Sequence, residues 1–268
     1  MVVAPLTLTC LSLATLFVAA LPIVLYRRLR RPLALNARDA IAGIAVFALF
    51  AMVIERALNG YVLRQNETTA AWLSNPVAFV IYGALAAGVC EEVGRFIAMR
   101  LMWRRTLAAG AAAEAGDGRA LGYGIGHGGA EAWIVGALVQ IQWIVFAVVE
   151  NRGQLDTYLD NVPADSLMRI HLILASLSPQ MAGIFVLERV AALVFQIGLS
   201  VLMWRGVRAG WRAILPLAII AHALVDVPAA LFQARVLPLF AVDGAYALLG
   251  LIVAGALVKL FRRPARAA

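Results

Sequence analysis

The sequence predicts an all-α fold: a polytopic membrane helix bundle of about seven transmembrane helices, N-terminus outside and C-terminus cytoplasmic. Three observations predict it. Of 268 residues, 63% are hydrophobic and only 14% charged, against about 45–50% apolar and about 25% charged in soluble domains. The apolar residues fall into runs close to the ~20 that a bilayer-spanning helix needs. All but one of the 23 basic residues are Arg, and most sit in short clusters between those runs. Disorder, a disulfide scaffold and a cytosolic enzyme are excluded, and the net charge of +8 reads as an orientation signal, with no nucleic-acid partner.

The expected spans lie at about 4–26, 40–62, 77–102, 120–148, 179–204, 213–234 and 237–260, with an amphipathic stretch at 166–178 leading into the fifth. Residues 1–268 read as a single transmembrane domain. The first run lacks a preceding basic region and has its Arg cluster after it, so it reads as a retained anchor. Assigning loops alternately puts Arg27, Arg28, Arg30, Arg31 and Arg38 on one side. Arg100, Arg104, Arg105 and Arg119 join them, with Arg205, Arg208, Arg212, Lys259, Arg262, Arg263 and Arg266. The other side has Arg64, Arg152, Arg169 and Arg235. The richer side should be cytoplasmic, in the inner membrane of the cell.

Ionisable residues inside the spans carry the chemistry. A charge near the bilayer centre costs at least ~2.5–3.5 kcal/mol, so it faces a partner or a wet cavity. In Cys90-Glu91-Glu92-Val93-Gly94-Arg95, Glu91 and Arg95 share a helix face and Glu92 lies about 100° round. A structural ion pair needs only one of those carboxylates. Gly122-Tyr123-Gly124-Ile125-Gly126-His127-Gly128-Gly129-Ala130-Glu131 opens the fourth span. Its glycines weaken a helix but allow close approach by a neighbouring helix or a substrate. Glu131, four residues after His127, is placed to ligate beside it or to orient its ring. His222 and Asp226 repeat this spacing in the sixth span. At ~1.5 Å per residue, the three clusters fall at similar depth in the cytoplasmic half. Glu55 and Glu188 sit nearer the outer half and read as structural, paired across helices with Arg. His171 reads as an uninvolved surface residue.

Two histidines and several carboxylates are the ligand types of a catalytic zinc site, with a further carboxylate free to activate water. The motifs Glu-Glu-x-Gly-Arg, Gly-His-Gly-Gly-x-Glu, a Glu-Arg in the next span and a late His-x-x-x-Asp resemble the YhfC family of predicted intramembrane metalloproteases. That family is distantly similar to the CAAX prenyl endopeptidase and bacteriocin-processing superfamily, whose motifs lie in the same order. Gly124 or Tyr123 stands where the superfamily has a Phe before its His. The resemblance implies an intramembrane endopeptidase acting on a membrane-protein or lipidated-peptide substrate. Glu91 or Glu92 would be the general base, with Arg95 setting the ionisation of the pair. His127 and His222 would be metal ligands or water- and oxyanion-binding groups, with Glu131 and Asp226 as further ligands. A proton- or metal-coupled carrier would use the same buried network.

Overall fold

The computed structural model describes residues 3–112 and 116–262. Arg263 and Arg266 lie outside them. The described residues are helical, with no strand among them, and seven helical stretches are long and apolar enough to cross a membrane. They are α1 (Pro5–Arg30), the stretch Ala37–Gln65, α5 (Pro76–Ala108), the stretch Gly118–Asn151, α10 (Pro179–Arg208), α11 (Ile214–Gln233) and α12 (Leu239–Arg262). Each overlaps an expected span. Exposed apolar side chains such as Leu248, Leu251 and Ile252 on α12 would be a liability in water; against lipid tails they are the expected surface.

Local sequence sets the helix ends. Pro5, Pro76 and Pro179 occupy first-turn positions, where a missing N–H costs nothing. The Asn75 side chain caps α5 by accepting from Val77 N and Ala78 N. Gly110 and Gly210, at φ 69° and 68°, end α5 and α10 in the left-handed conformation that glycine tolerates.

Two of the spans are not uniform helices. Ala37–Gln65 consists of α2 (Ala37–Leu49), a π-helical turn (Phe50–Glu55), α3 (Arg56–Gly60) and a second π turn (Tyr61–Gln65). A short α4 (Glu67–Trp72) follows. Gly118–Asn151 consists of α6 (Gly118–Glu131), a π turn (Ala132–Ala137) and α7 (Leu138–Asn151). Such wide turns are rare and tend to mark functional positions. After α7 come α8 (Leu155–Tyr158) and α9 (Ala164–Ser176), the latter in place of the expected amphipathic stretch.

The glycine-rich α6 is the best-buried element, wedged between α2 and α10. A Cβ on Gly126 would run into the Ala40 carbonyl of α2, and one on Gly124 would lie 2.8 Å from Ile197 Cα of α10. The glycines therefore serve helix–helix approach, not substrate approach. Asp39 of α2 accepts from Arg119 at 3.1 and 3.2 Å, fixing the start of α6. On the Arg-rich side, Met99, Met102, Tyr123, Met203, Trp204 and Ile214 form an apolar layer among α5, α6, α10 and α11.

Candidate active site

Four helices converge at mid-bundle: α5 with Glu91, Glu92 and Arg95, α6 with His127, α10 with Gln196 and Ser200, and α11 with His222 and Asp226. Arg95 is fully buried and held from three sides. Its Nη1 donates to the Gln196 carbonyl at 2.9 Å and to Ser200 Oγ at 2.8 Å, and its Nη2 to Gln196 Oε1. Its Nε lies 3.2 Å from Glu92 Oε2, an ion pair without a formed hydrogen bond. The guanidinium thus supplies the counter-charge for both glutamates, with Glu91 Oε2 3.9 Å from Nη2.

The two glutamates have separate partners. Glu91 Oε2 lies 2.9 Å from His127 Nε2 and accepts from Gln196 Nε2 at 3.0 Å. That contact assigns the His127 proton to Nε2 and leaves Nδ1 buried without a partner. The ring is fixed by Tyr123, stacked at 5.9 Å, and by the edge of Phe47 at 5.3 Å. Tyr123, not Gly124, is therefore the aromatic residue that goes with this histidine. Glu92 is fully buried and turned to α11, its Oε1 2.8 Å from His222 Nδ1. The other ring nitrogen of His222 lies 3.5 Å from Asp226 Oδ2.

A cavity of about 430 Å³ runs from this site toward the Arg-poor ends of the helices, reaching Leu63, Phe79 and Gln233. Glu91, His222 and Asp226 line it; Glu92, Arg95 and His127 lie behind its wall. On the Ala37–Gln65 stretch the lining includes Phe47, Ala51, Glu55, Asn59 and Leu63, spaced by four. Four residues of α-helix advance about 400° and would rotate such a stripe away. The wide turns, which wind less per residue, keep it on the cavity.

Several sequence expectations are corrected. Glu131 does not reach His127; it accepts from Gln196 Nε2 at 3.0 Å and pairs with Arg189 at 3.5 Å. Glu55 accepts from Asn59 at 3.2 Å and Arg56 is exposed, so no Glu–Arg tie across helices forms there. Glu55 and Glu188 both line the cavity. His171 stays away from the cavity, at 2.9 Å from Asp156 and 3.3 Å from Glu150. Gln196 and Ser200 escaped the sequence reading because uncharged polar residues cost little in an apolar helix and raise no flag.

The expected metal ligands His127, His222, Glu131 and Asp226 are not gathered. Among the described residues no three His, Cys, Asp or Glu side chains are grouped to hold a metal ion. The two imidazoles turn to different glutamates, and Arg95 Nη2 stands 3.4 Å from His127 Nε2, where it would repel a second cation. As arranged, the donors do not fit a three-ligand zinc centre.

The model of the family described as YhfC intramembrane metalloprotease matches residues 17–247. The chain belongs to this family. Over 229 residues it is 34% identical to a Bacillus subtilis (strain 168) protein described as the uncharacterized membrane protein YhfC, covering 83% of this chain and 84% of that one. No solved structure matches. The YhfC family's description points to a protease and not to a carrier, and it makes this chain a multi-pass membrane protein.

Proposed function

We propose that the chain is an intramembrane endopeptidase in which Glu91 activates water inside the cavity. One observation carries the reading. Of the buried glutamate pair only Glu91 lines the cavity, facing it together with His222, while His127 and Gln196 hold its Oε2. Peptide hydrolysis within a bilayer needs water held next to a base where little water exists, and a polar cavity ending on a fixed carboxylate meets that need. Glu91 takes the proton as water attacks the scissile carbonyl and passes it to the leaving amine. His222, flanked by Glu92 at Nδ1 and Asp226 at Nε2, carries a proton on both ring nitrogens and turns the Nε2–H to the developing oxyanion. His127, Gln196 and Arg95 hold Glu91 in place. The membrane is the cell membrane and the substrate a membrane protein.

No step is assigned to zinc. Its ligand types are present, but their arrangement is the one described above. The test compares membranes of cells expressing the wild-type chain with those expressing Glu91→Gln or His222→Ala at equal abundance. New N-termini in membrane proteins should appear with the wild type alone; their absence, or their persistence with Glu91→Gln, overturns the reading. Cleavage by the purified, untagged chain should survive chelator at far less than stoichiometric metal. Loss on chelation with recovery on zinc would restore His127, His222, Glu131 and Asp226 as ligands in a rearranged site.

A further inference from the structure

A second cavity, of about 840 Å³, lies against the first on the outside of the bundle. Its walls are almost wholly apolar, and Leu58, Trp72, Val77, Ile81 and Leu85 are exposed along it. Tyr82 and Ala86 line both cavities, so they are the partition between an outer groove and the catalytic chamber. Across that partition runs one latch. Tyr82 Oη donates to Asn59 Oδ1 at 2.6 Å, and Asn59 Nδ2 donates to Glu55 Oε1 at 3.2 Å.

The two halves of the Ala37–Gln65 stretch are held very differently. The α2 half is locked, since Gly43 lies directly against the Tyr123 carbonyl and His127 N of α6. The half from Phe50 to Gln65 has no buried residue and two π turns. Its last part, 56–65, hardly touches α5. Elements with few buried contacts open at least cost.

We propose that residues 56–65 and α5 form a lateral gate, latched by Tyr82 and Asn59, through which an apolar segment of a membrane polypeptide passes from the groove into the cavity. The inference rests on the endopeptidase reading and names its route of entry. A polypeptide, not a lipid chain, is the occupant because of what opening does. Parting Tyr82 from Asn59 leaves a hydroxyl and a carboxamide oxygen without their bond at the edge of the apolar groove. A peptide backbone leaving its own helix brings N–H and C=O groups with the same need. An acyl chain brings none.

Photocrosslinking of the full chain in phosphatidylcholine liposomes tests this. Benzoylphenylalanine is placed at Leu85, on the groove, or at Val135, on the catalytic cavity. The probe is a fluorescent single-span peptide of leucine and alanine. Peptide adducts should form at both positions. Joining Asn59→Cys to Tyr82→Cys with a bifunctional thiol reagent whose spacer carries a reducible disulfide should keep the Leu85 adduct and remove the Val135 adduct, with recovery on reduction. Ala86→Trp, which thickens the partition without a cross-link, should act like the cross-linked pair. Lipid adducts alone at Leu85, or Val135 adducts indifferent to both closures, would overturn the gate. Glu91→Gln should retain both peptide adducts. If the wild type gives both gated adducts but cleaves no membrane protein, the endopeptidase reading fails while the gate stands.

Discussion

Gln196 carries no charge, yet its carboxamide donates to Glu91 and Glu131 and accepts from Arg95. A hydrogen bond to a charged group is worth about 1.5–3 kcal/mol, so its loss should slow catalysis roughly ten- to a hundredfold. Gln196→Leu should therefore lower kcat by about that factor with a smaller change in KM, because it loosens Glu91 without removing the base. An unchanged kcat would show that Arg95 and His127 suffice to hold Glu91. The charged members of the site were legible in sequence, because Glu91, Glu92, Arg95, His127, His222 and Asp226 each interrupt an apolar run. Their partners were not. Helical spacing suggested Glu131 for His127, but the i, i+4 neighbour lost to carboxylates and amides arriving from other helices. Those contacts depend on helix rotation, which no local pattern fixes.

At the scale of elements, α6 depends on backbone contact. Gly126→Ala would push a methyl group into the Ala40 carbonyl, an overpacking worth about 1–3 kcal/mol or more. It should lower the amount of folded protein in the membrane, seen as a fall in detergent melting temperature. Gly255→Ala, with nothing within 4 Å of the added carbon, is the control and should be tolerated. The docking of α9 has a pH dependence of its own. The hydrogen bond to Asp156, assisted by Glu150, raises His171 above the ordinary 6.5 despite some opposing burial. A folded-state pKa that is raised gives stabilisation complete below 6.5 and lost as pH rises through the higher value. Proteolytic nicking between α8 and α9 should increase over that rise, and His171→Ala should be nicked alike on both sides of it. The helices themselves were readable from apolar length and Arg clusters. The π turns were not, since Phe50–Glu55 looks like any apolar helix until its cavity stripe is seen.

For the whole molecule, the Arg asymmetry predicts the orientation: fusions at residues 35, 112 and 208 should report cytoplasmic while those at 66, 158 and 235 report external. An external report at 112 would invert the bundle. Span number and order were legible because each span satisfies the bilayer by itself; which spans enclose a cavity was not, because that depends on how they pack. The chamber reaches Glu91 and His222 from the Arg-poor side and stops at the layer of Met99, Met102, Met203 and Trp204. In electrical terms the bilayer should be thin at that point. Moving one charge across the full membrane potential is worth about 2.3 kcal/mol per 100 mV, and most of that drop falls across an insulating layer instead of along a polar shaft. On the endopeptidase reading, protons reaching or leaving Glu91 should be exchanged with one compartment only. Turnover should then be nearly blind to membrane voltage, and the open chamber should leave the gradient across the membrane intact.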